Sequence, residues 1–598
     1  MELLDFGGSP HLSIVDSSFQ VFLIDTAITV SSGGVKEKKF TTLYTSSKMS
    51  RNGNIYVNIK NVMSVFKNHE KVGSYIFPSE ILKMYIDGDD DLWVGTDRDG
   101  VYLFKNADVT KTPVHALPSL SISSILLDKE GSVWASTLEK GVFQCMNKRV
   151  LRFTEKTRDF KIIDNKLNVA FETQKLLIAS SIDSMRLENV PVTFDTKAKF
   201  CTYSTIKGAQ YFGLGSHTFY TKDKKTAEIH QKTGDFMYSR YFIRLPNDTL
   251  LAVGNHSIFF IYDTRFIRTD TTSFIINNAS QLPDKRTILT SRSNAGLFEY
   301  KNGKFIPFLP HVKELNTRIN AIAVDSSGNF WFATNEKGIF CYDTHQRIHT
   351  FNKSNGLLSN KVNDLIIIPN GNIWCGTYDG LSRLIPSSNF EKVVIENFDK
   401  NHGIVDLEIE RLIYFDHTIW CGAKTALFYF HPENMYKNRQ PPIAYIKSIN
   451  VKGENYLPTD SLFLNHDQND FHIQYGLISF KKTPSRAFFY RLNGYDNTWK
   501  LSNTGDIQYT NISYGTYTLF VYAINNDGIK SQLPHQLTFI IKRPFWFTWW
   551  FVTLMVILFL FLIYLGAQYW RKRIEKKERD KAAINQQLSE FKMTALRS

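Results

Sequence analysis

The acids of DGDDDL, at 87 to 92, are the first residues in this chain whose type and spacing could do chemistry. Asp87, Asp89 and Asp91 stand at the first, third and fifth positions of a calcium loop, where oxygens wrap a hard cation. The sixth position is Leu92 where such a loop needs Gly, and the twelfth is Arg98 where it needs a carboxylate, so the segment reads as an acidic turn and no metal is expected. GLGSHT, at 213 to 218, lacks the third Gly of a dinucleotide fingerprint and no helix pattern follows it; it reads as strand and turn, with no cofactor. Cys145, Cys201, Cys341, Cys375 and Cys421 form no CxxC or Cys/His cluster and read as small buried hydrophobes. HExxH, GxSxG and P-loop patterns are absent and the 15 His are scattered, so residues 1 to 598 are expected to hold no catalytic site.

Charge narrows the partners. The formal charge is +14, but nine Lys or Arg against four Asp or Glu in the last 28 residues account for +5 of it. The remaining +9 is dispersed over 570 residues with no Arg-rich run, which argues against a nucleic-acid partner.

The elements that must position any site come from repeats. DLWVGTDRDGVYLF (91 to 104), SVWASTLEKGVFQC (132 to 145), NFWFATNEKGIFCYD (329 to 343), NIWCGTYDGLSRL (372 to 384) and TIWCGAKTALFYF (418 to 430) each read as strand, turn and strand. Weaker copies stand at 54 to 59, 176 to 181, 211 to 216, 250 to 255 and 288 to 300, giving a spacing of about 35 to 46 residues. A period near 40 with short strands and a repeated Trp predicts β-propeller blades, about ten of them across 1 to 437. Trp93, Trp134, Trp331, Trp374 and Trp420 are expected to fill the layer between blades, and the Gly or Ala two residues on to let an inner strand approach the axis. The hairpins SISSILLDKEG, INAIAVDSSG and VNDLIIIPNG precede three of these Trp strands. The form I..I..D..G..W.GT..G resembles the two-component regulator propeller repeat of bacterial sensor proteins, most closely over 75 to 145 and 318 to 430.

A second domain is expected over 438 to 544. After the Pro pair at 441 and 442, apolar residues alternate at Phe471, Ile473 and Tyr475, at Phe488, Tyr490 and Leu492, and at Tyr517, Leu519, Val521 and Ala523, the pattern of an immunoglobulin-like sandwich. The segment from Phe488 to Gly528 resembles the three-Y domain found between a regulator propeller and the membrane, with Tyr490, Tyr509 and Tyr517 at its name-giving positions and Gly494, Trp499, Gly515 and Gly528 at others. Buried tyrosines with satisfied hydroxyls are expected there rather than a binding site.

From Phe545 to Trp570 the chain has 26 residues without a charge, flanked by Trp and Tyr and followed at once by RKRIEKKERDK. This predicts a transmembrane helix at 545 to 570, with the basic tail in the cytoplasm and residues 1 to 544 outside, in a bacterial inner membrane. MELLDFGGSPHLSIVDSS has no signal-peptide pattern, so an incomplete N-terminus is expected. Ile574, Ile584, Leu588 and Phe591 make a short heptad seam in 571 to 598, interrupted by Lys577 and Lys581, which predicts a two-stranded coiled coil and hence a homodimer. QLSEFKMTALRS resembles the helix ahead of the phospho-accepting His segment of one class of sensor histidine kinases.

The fold class expected is thus all-β, propeller repeats followed by a sandwich, one transmembrane helix and a coiled-coil stub. The function the resemblance implies is sensing of an extracytoplasmic small molecule or glycan, passed to a kinase and its cytoplasmic response regulator. The rivals are a membrane-anchored propeller glycan-binding protein or glycoside hydrolase, the latter needing paired carboxylates facing the channel, and a passive adhesion or scaffold protein. No ligand-binding residue is assigned.

Overall fold

A computed structural model describes the chain except residues 1, 5–10, 15–20, 25–46, 69, 183, 191–199, 232, 294–295, 388–392, 436, 482–486 and 597–598. It is mostly antiparallel β-sheet, and it divides into two compact units, 1–437 and 438–598.

The repeat signature folds locally for reasons visible in its side chains. The Asp that ends the first strand turns the chain: Asp325 Oδ1 accepts from the backbone N–H groups of Ser327 and Asn329, both at 2.9 Å, and its Oδ2 accepts from the Trp331 indole at 2.9 Å. Asp87 does the same for Trp93 at 2.8 Å and Asp128 for Trp134 at 2.7 Å. The Thr of the GT pair then ties the next turn, with Thr96, Thr334 and Thr377 hydroxyls each donating at 2.8 Å to the carbonyls of Gly100, Gly338 and Gly380. The spacing of D, G, W and T is therefore the spacing of one Asx-type turn and one hairpin on a shared strand.

Seven such sheets close a ring. Their first strands are Thr157–Ile163, Phe200–Ile206, Tyr241–Arg244, Ile276–Gln281, Ile319–Val324, Val362–Ile367 and Ile409–Phe415, in blades numbered 1 to 7 here, and each packs on the first strand of the next, the seventh on the first. Blade 7 supplies only three strands of its own; Leu151–Phe153, which precedes blade 1, pairs with Leu427–Tyr429 to complete it. An early segment thus fastens a late one, and no sheet edge is left open at the seam. Ahead of the ring, sheets at 47–76, 81–116 and 122–145 stack in the same manner, the last with three strands.

The tryptophans lie on the second strands. Trp331 packs among Val362, Leu365 and Ile373 of blade 6, Trp374 among Ile409, Leu412 and Ile419 of blade 7, and Trp420 among Leu167, Val169 and Leu177 of blade 1. The Gly two residues on belongs to this second strand too, so it does not bring its own strand to the axis. It makes room for the following blade: a methyl on Gly376 would lie 2.7 Å from Ile409 Cγ2, and one on Gly95 2.7 Å from Ile122 Cγ2. Trp134 is only half-buried and Cys145 is exposed, unlike the buried Cys341, Cys375 and Cys421. Both lie on the three-stranded sheet, where Leu126, Leu138 and Val142 are exposed as well. The Cys201 side chain falls outside the described residues.

The second unit begins with a two-sheet sandwich. One sheet orders Glu454–Tyr456, Ile443–Val451, Phe471–Ile478 and Asp506–Tyr509; the other orders Ser461–Leu464, His535–Ile541, Gly515–Ile524, Ala487–Asn493 and Lys500–Ser502. The inward positions of the alternating strands, Ile473, Tyr475, Phe488, Leu492, Leu519, Val521 and Phe539 among them, form one buried core. A 3₁₀ turn at Phe545–Phe547 leads into one helix, Trp549–Ala595. Its apolar part is long enough to cross a bilayer, and none of it is buried within the chain.

Candidate functional site

The ring concentrates its polar chemistry at one end of the axial channel, and β-bulges are the device. In blades 1, 2, 4, 5, 6 and 7 the pairing of the first strand slips by one residue just after its first position, between Thr157 and Asp159, Phe200 and Thr202, Ile276 and Asn278, Ile319 and Ala321, Val362 and Asp364, and Ile409 and Arg411. A bulged residue is released from the in-out alternation of its strand and can be re-aimed. Arg158, Asn277, Asn320, Asn363 and Glu410 occupy such positions, and with Arg240, Tyr241, Arg318, Glu408 and Arg411 they line a cavity of about 300 Å³.

A relay of hydrogen bonds runs round this mouth. Arg240 donates to the Ile276 carbonyl at 3.3 Å, Asn277 to Ile319 at 2.8 Å, Asn320 to Val362 at 2.8 Å and Asn363 to Ile409 at 2.9 Å, each reaching from one blade to the first residue of the next. The Asn320 amide oxygen also accepts from Asn277 at 3.2 Å. Glu410, which can only accept, breaks the series.

Charges are unevenly compensated. On one side Arg158 pairs with Glu172 at 2.9 Å, Glu410 faces Lys156 at 3.7 Å, and Glu408 is held between Lys424 at 2.9 Å and Lys361 at 3.3 Å. Burial opposes the Glu408 charge, but the two lysines outweigh it and hold the carboxyl below its ordinary value. A glycosidase acid needs the opposite shift, so Glu408 is poorly suited to that role. Deeper in the ring Asp364 is pushed up to about 6 by burial, against the Arg411 charge and the N–H groups of Leu412 and Leu365, which it accepts at 2.8 and 2.9 Å. Arg411 donates to the Tyr241 hydroxyl at 3.2 Å.

On the other side Arg240, Arg292 and Arg318, from the starts and turns of blades 3, 4 and 5, form no ion pair among the described residues. Burial lowers the Arg318 pKa, and the positive charges of Arg292 and Arg240 lower it further. Its Nε is buried with no hydrogen-bond partner among the described residues. Arg292 also borders a second, open cavity of about 560 Å³ with His256, Phe274 and Phe298.

The residues singled out from sequence lie elsewhere. Asp87, Asp89 and Asp91 do converge, close enough to ligate one ion, but the Lys148 ammonium stands among them, paired with Asp87, at 3.0 Å from Asp89 and 2.8 Å from Asp91. Lys148 and Asp87 are buried, so the cluster is a structural ion network. It fastens the segment entering the ring, helped by Arg149, which bonds Asp89 at 2.7 Å and Asn434 at 3.3 Å. Trp93, Trp331, Trp374 and Trp420 are buried between sheets and Trp134 is half-buried; none of the five lines the channel cavity. Tyr509 is buried and donates to Asp496; Tyr490 meets its ring edge-on at 6.3 Å. Tyr517 lies against Gly494, which has φ +90°, and whose added Cβ would be 3.2 Å from the ring. Ile574, Ile584, Leu588 and Phe591 are all exposed on the helix. None of the channel residues was singled out from sequence. The signal available was the polar residue that follows the first apolar residue in INAIAV and VNDLII, at one repeat position.

With the sites described, comparison with known proteins adds family relations. Residues 313–336 match the two component regulator propeller repeat, and residues 483–542 match the Y_Y_Y domain. The chain carries both modules. A histidine kinase of Formosa agariphila is 21% identical over 235 residues, 36% of this chain and 17% of the relative, so the similarity spans a small part of that protein. The extracellular domain of a putative hybrid two component system from B. thetaiotaomicron superposes with a TM-score of 0.62 at 18% identity, covering 83% of this chain and 72% of that one. At that identity the match shows the fold: regulator-propeller blades followed by a Y_Y_Y sandwich.

Proposed function

We propose that this chain is the extracytoplasmic ligand-sensing and membrane-crossing part of a two-component sensor histidine kinase in a bacterial inner membrane. The observation that carries the reading is the order of parts: propeller blades, Y_Y_Y sandwich, then one apolar helix that continues unbroken for 47 residues into the basic, heptad-bearing segment. A helix of that length spans about 70 Å, enough to cross the bilayer and emerge as a lever. The similarity to a histidine kinase supports the output, a kinase acting on a response regulator.

The propeller binds a small molecule or glycan, the sandwich relays the change, and the helix shifts against that of a second copy. A single helix has no internal joint to switch, so the ligand must favour one of two dimer geometries by differential affinity. The contact that hands the change to the helix is aromatic: Trp546 meets His466 edge-on at 4.7 Å and Phe547 meets Tyr514 at 6.0 Å, in the turn just before Trp549. Topology reporters fused after residue 544 and after residue 596 test the partition. Periplasmic-type activity at the first and cytoplasmic-type at the second are expected; export of both overturns the reading.

A further inference from the structure

We infer that the axial mouth of the seven-bladed ring is an anion site, in which Arg240, Arg292 and Arg318 grip a carboxylate or sulfate group of the ligand while Asn277 and Asn320 border it. The inference rests on the receptor reading and names the ligand class for that receptor. Arg240 and Arg318 line this mouth and Arg292 borders the neighbouring hollow, close enough for its charge to act on Arg318; the three come from consecutive blades and form no ion pair among the described residues, although the other half of the mouth pairs its charges with care. Evolution of a merely structural channel would leave no reason for that asymmetry, because like charges brought together at reduced exposure cost stability. Arg318 is the sharpest case: its Nε is buried without a partner, and buried polar atoms are normally paired. An oxyanion would supply acceptors in the geometry a guanidinium fork fits and offset the mutual repulsion. The mouth is wide enough at about 300 Å³ for a charged monosaccharide-sized group, and the neighbouring hollow beside Arg292, with Phe274 and Phe298 stacked at 4.2 Å, extends it with apolar surface.

The test uses the full chain in neutral detergent, with equilibrium dialysis of radiolabelled sulfate and competition by glucuronate or glucose at constant ionic strength. Saturable sulfate binding, displaced by glucuronate and not by glucose, is expected; the ratio of the two anions' potencies tells sulfate from carboxylate preference. Arg318→Met should weaken binding roughly tenfold or more, the loss of a charged hydrogen-bond pair. Its melting temperature without anion should equal or exceed that of the parent, because a repulsion is removed. Arg265→Met, at the outer strand of blade 3, should leave binding unchanged. Binding that does not saturate, or that survives both Arg318→Met and Arg240→Met, overturns the anion site. Neither result touches the topology reporters, so the receptor reading stands or falls separately.

Discussion

At the residue scale, the aspartate of the repeat turn decides whether the buried tryptophan it serves has a partner. Asp325 satisfies two backbone N–H groups, the Asn329 amide and the Trp331 indole, whereas by strand register the equivalent positions in blades 6 and 7 are Ile368 and Phe415, and there the Trp374 and Trp420 indole N–H groups are buried without partners among the described residues. Asp325→Ala should therefore cost about 1–3 kcal/mol in urea unfolding, the range for leaving buried donors unpaired. Asp325→Asn should cost less, since its amide oxygen still accepts. Lys148 gives a prediction with a sign. Burial opposes the Asp89 and Asp91 charges, yet hydrogen bonds and charge from Lys148, with Arg149 at Asp89 and Lys105 at Asp91, hold both carboxyls below their ordinary values. Carboxyls depressed in the folded state stabilise it above the ordinary carboxylate pKa near 4, and that stability is lost as pH falls through the folded values. Lys148→Met should cost about 3–5 kcal/mol at pH 7, the range for orphaning a buried charge. It should also reverse the trend, because crowded carboxyls without the ammonium titrate higher: unfolding midpoints at pH 7 and pH 4.5 should show the variant gaining stability on acidification where the parent does not.

At the element scale, the blade is built by a bulge on its first strand and a small residue on its second. The bulge turns a channel-facing side chain toward the axis; the small residue admits the next blade's first strand. Gly376 has no positive φ to demand glycine, so only the approach of Ile409 constrains it. Gly376→Val should force blades 6 and 7 apart and cost about 1–3 kcal/mol by overpacking, with the Gly376→Val, Ile409→Ala pair recovering part of the loss in a double-mutant cycle. Full additivity of the two losses would show that the contact is not the cause. The Y_Y_Y sandwich follows the same logic with tyrosine: Gly494 and Gly515 both lie against the Tyr517 ring, and Asp496 ties Tyr509 to the turn after Leu492.

At the scale of the whole molecule, the ring is held by its strap, and in the function proposed the helix carries the signal. Leu151–Phe153 joins the sheet made 256 residues or more later in sequence, and such a long-range closure predicts slow, cooperative folding of the ring. In the function proposed, the exposed apolar row of Ile574, Ile584, Leu588 and Phe591 is where a second copy would pair. In a Cys145→Ser background, Leu588→Cys should form a disulfide between copies in membranes, and Gln586→Cys, on the opposite face, should not; addition of an activating ligand should change the rate at Leu588. Equal rates at the two positions would sink the paired seam.

The local elements were legible in the residue pattern. Repeated Asp, Gly, Trp and Thr at fixed spacing are local turn and hairpin chemistry, alternation in 471 to 523 is a two-faced strand, and 26 uncharged residues are a membrane-length helix; each is a short-range property that survives without coordinates. The family modules were legible for the same reason. Which residues meet emerges only when the chain is folded. The closing of seven blades by a strand from before the first, the lysine seated among Asp87, Asp89 and Asp91, and the convergence of Arg240, Arg292 and Arg318 from three blades all join residues tens to hundreds of positions apart. Ring closure and a one-residue bulge set those meetings: closure leaves no trace in the repeat, and the bulge leaves only a polar residue at one position of it.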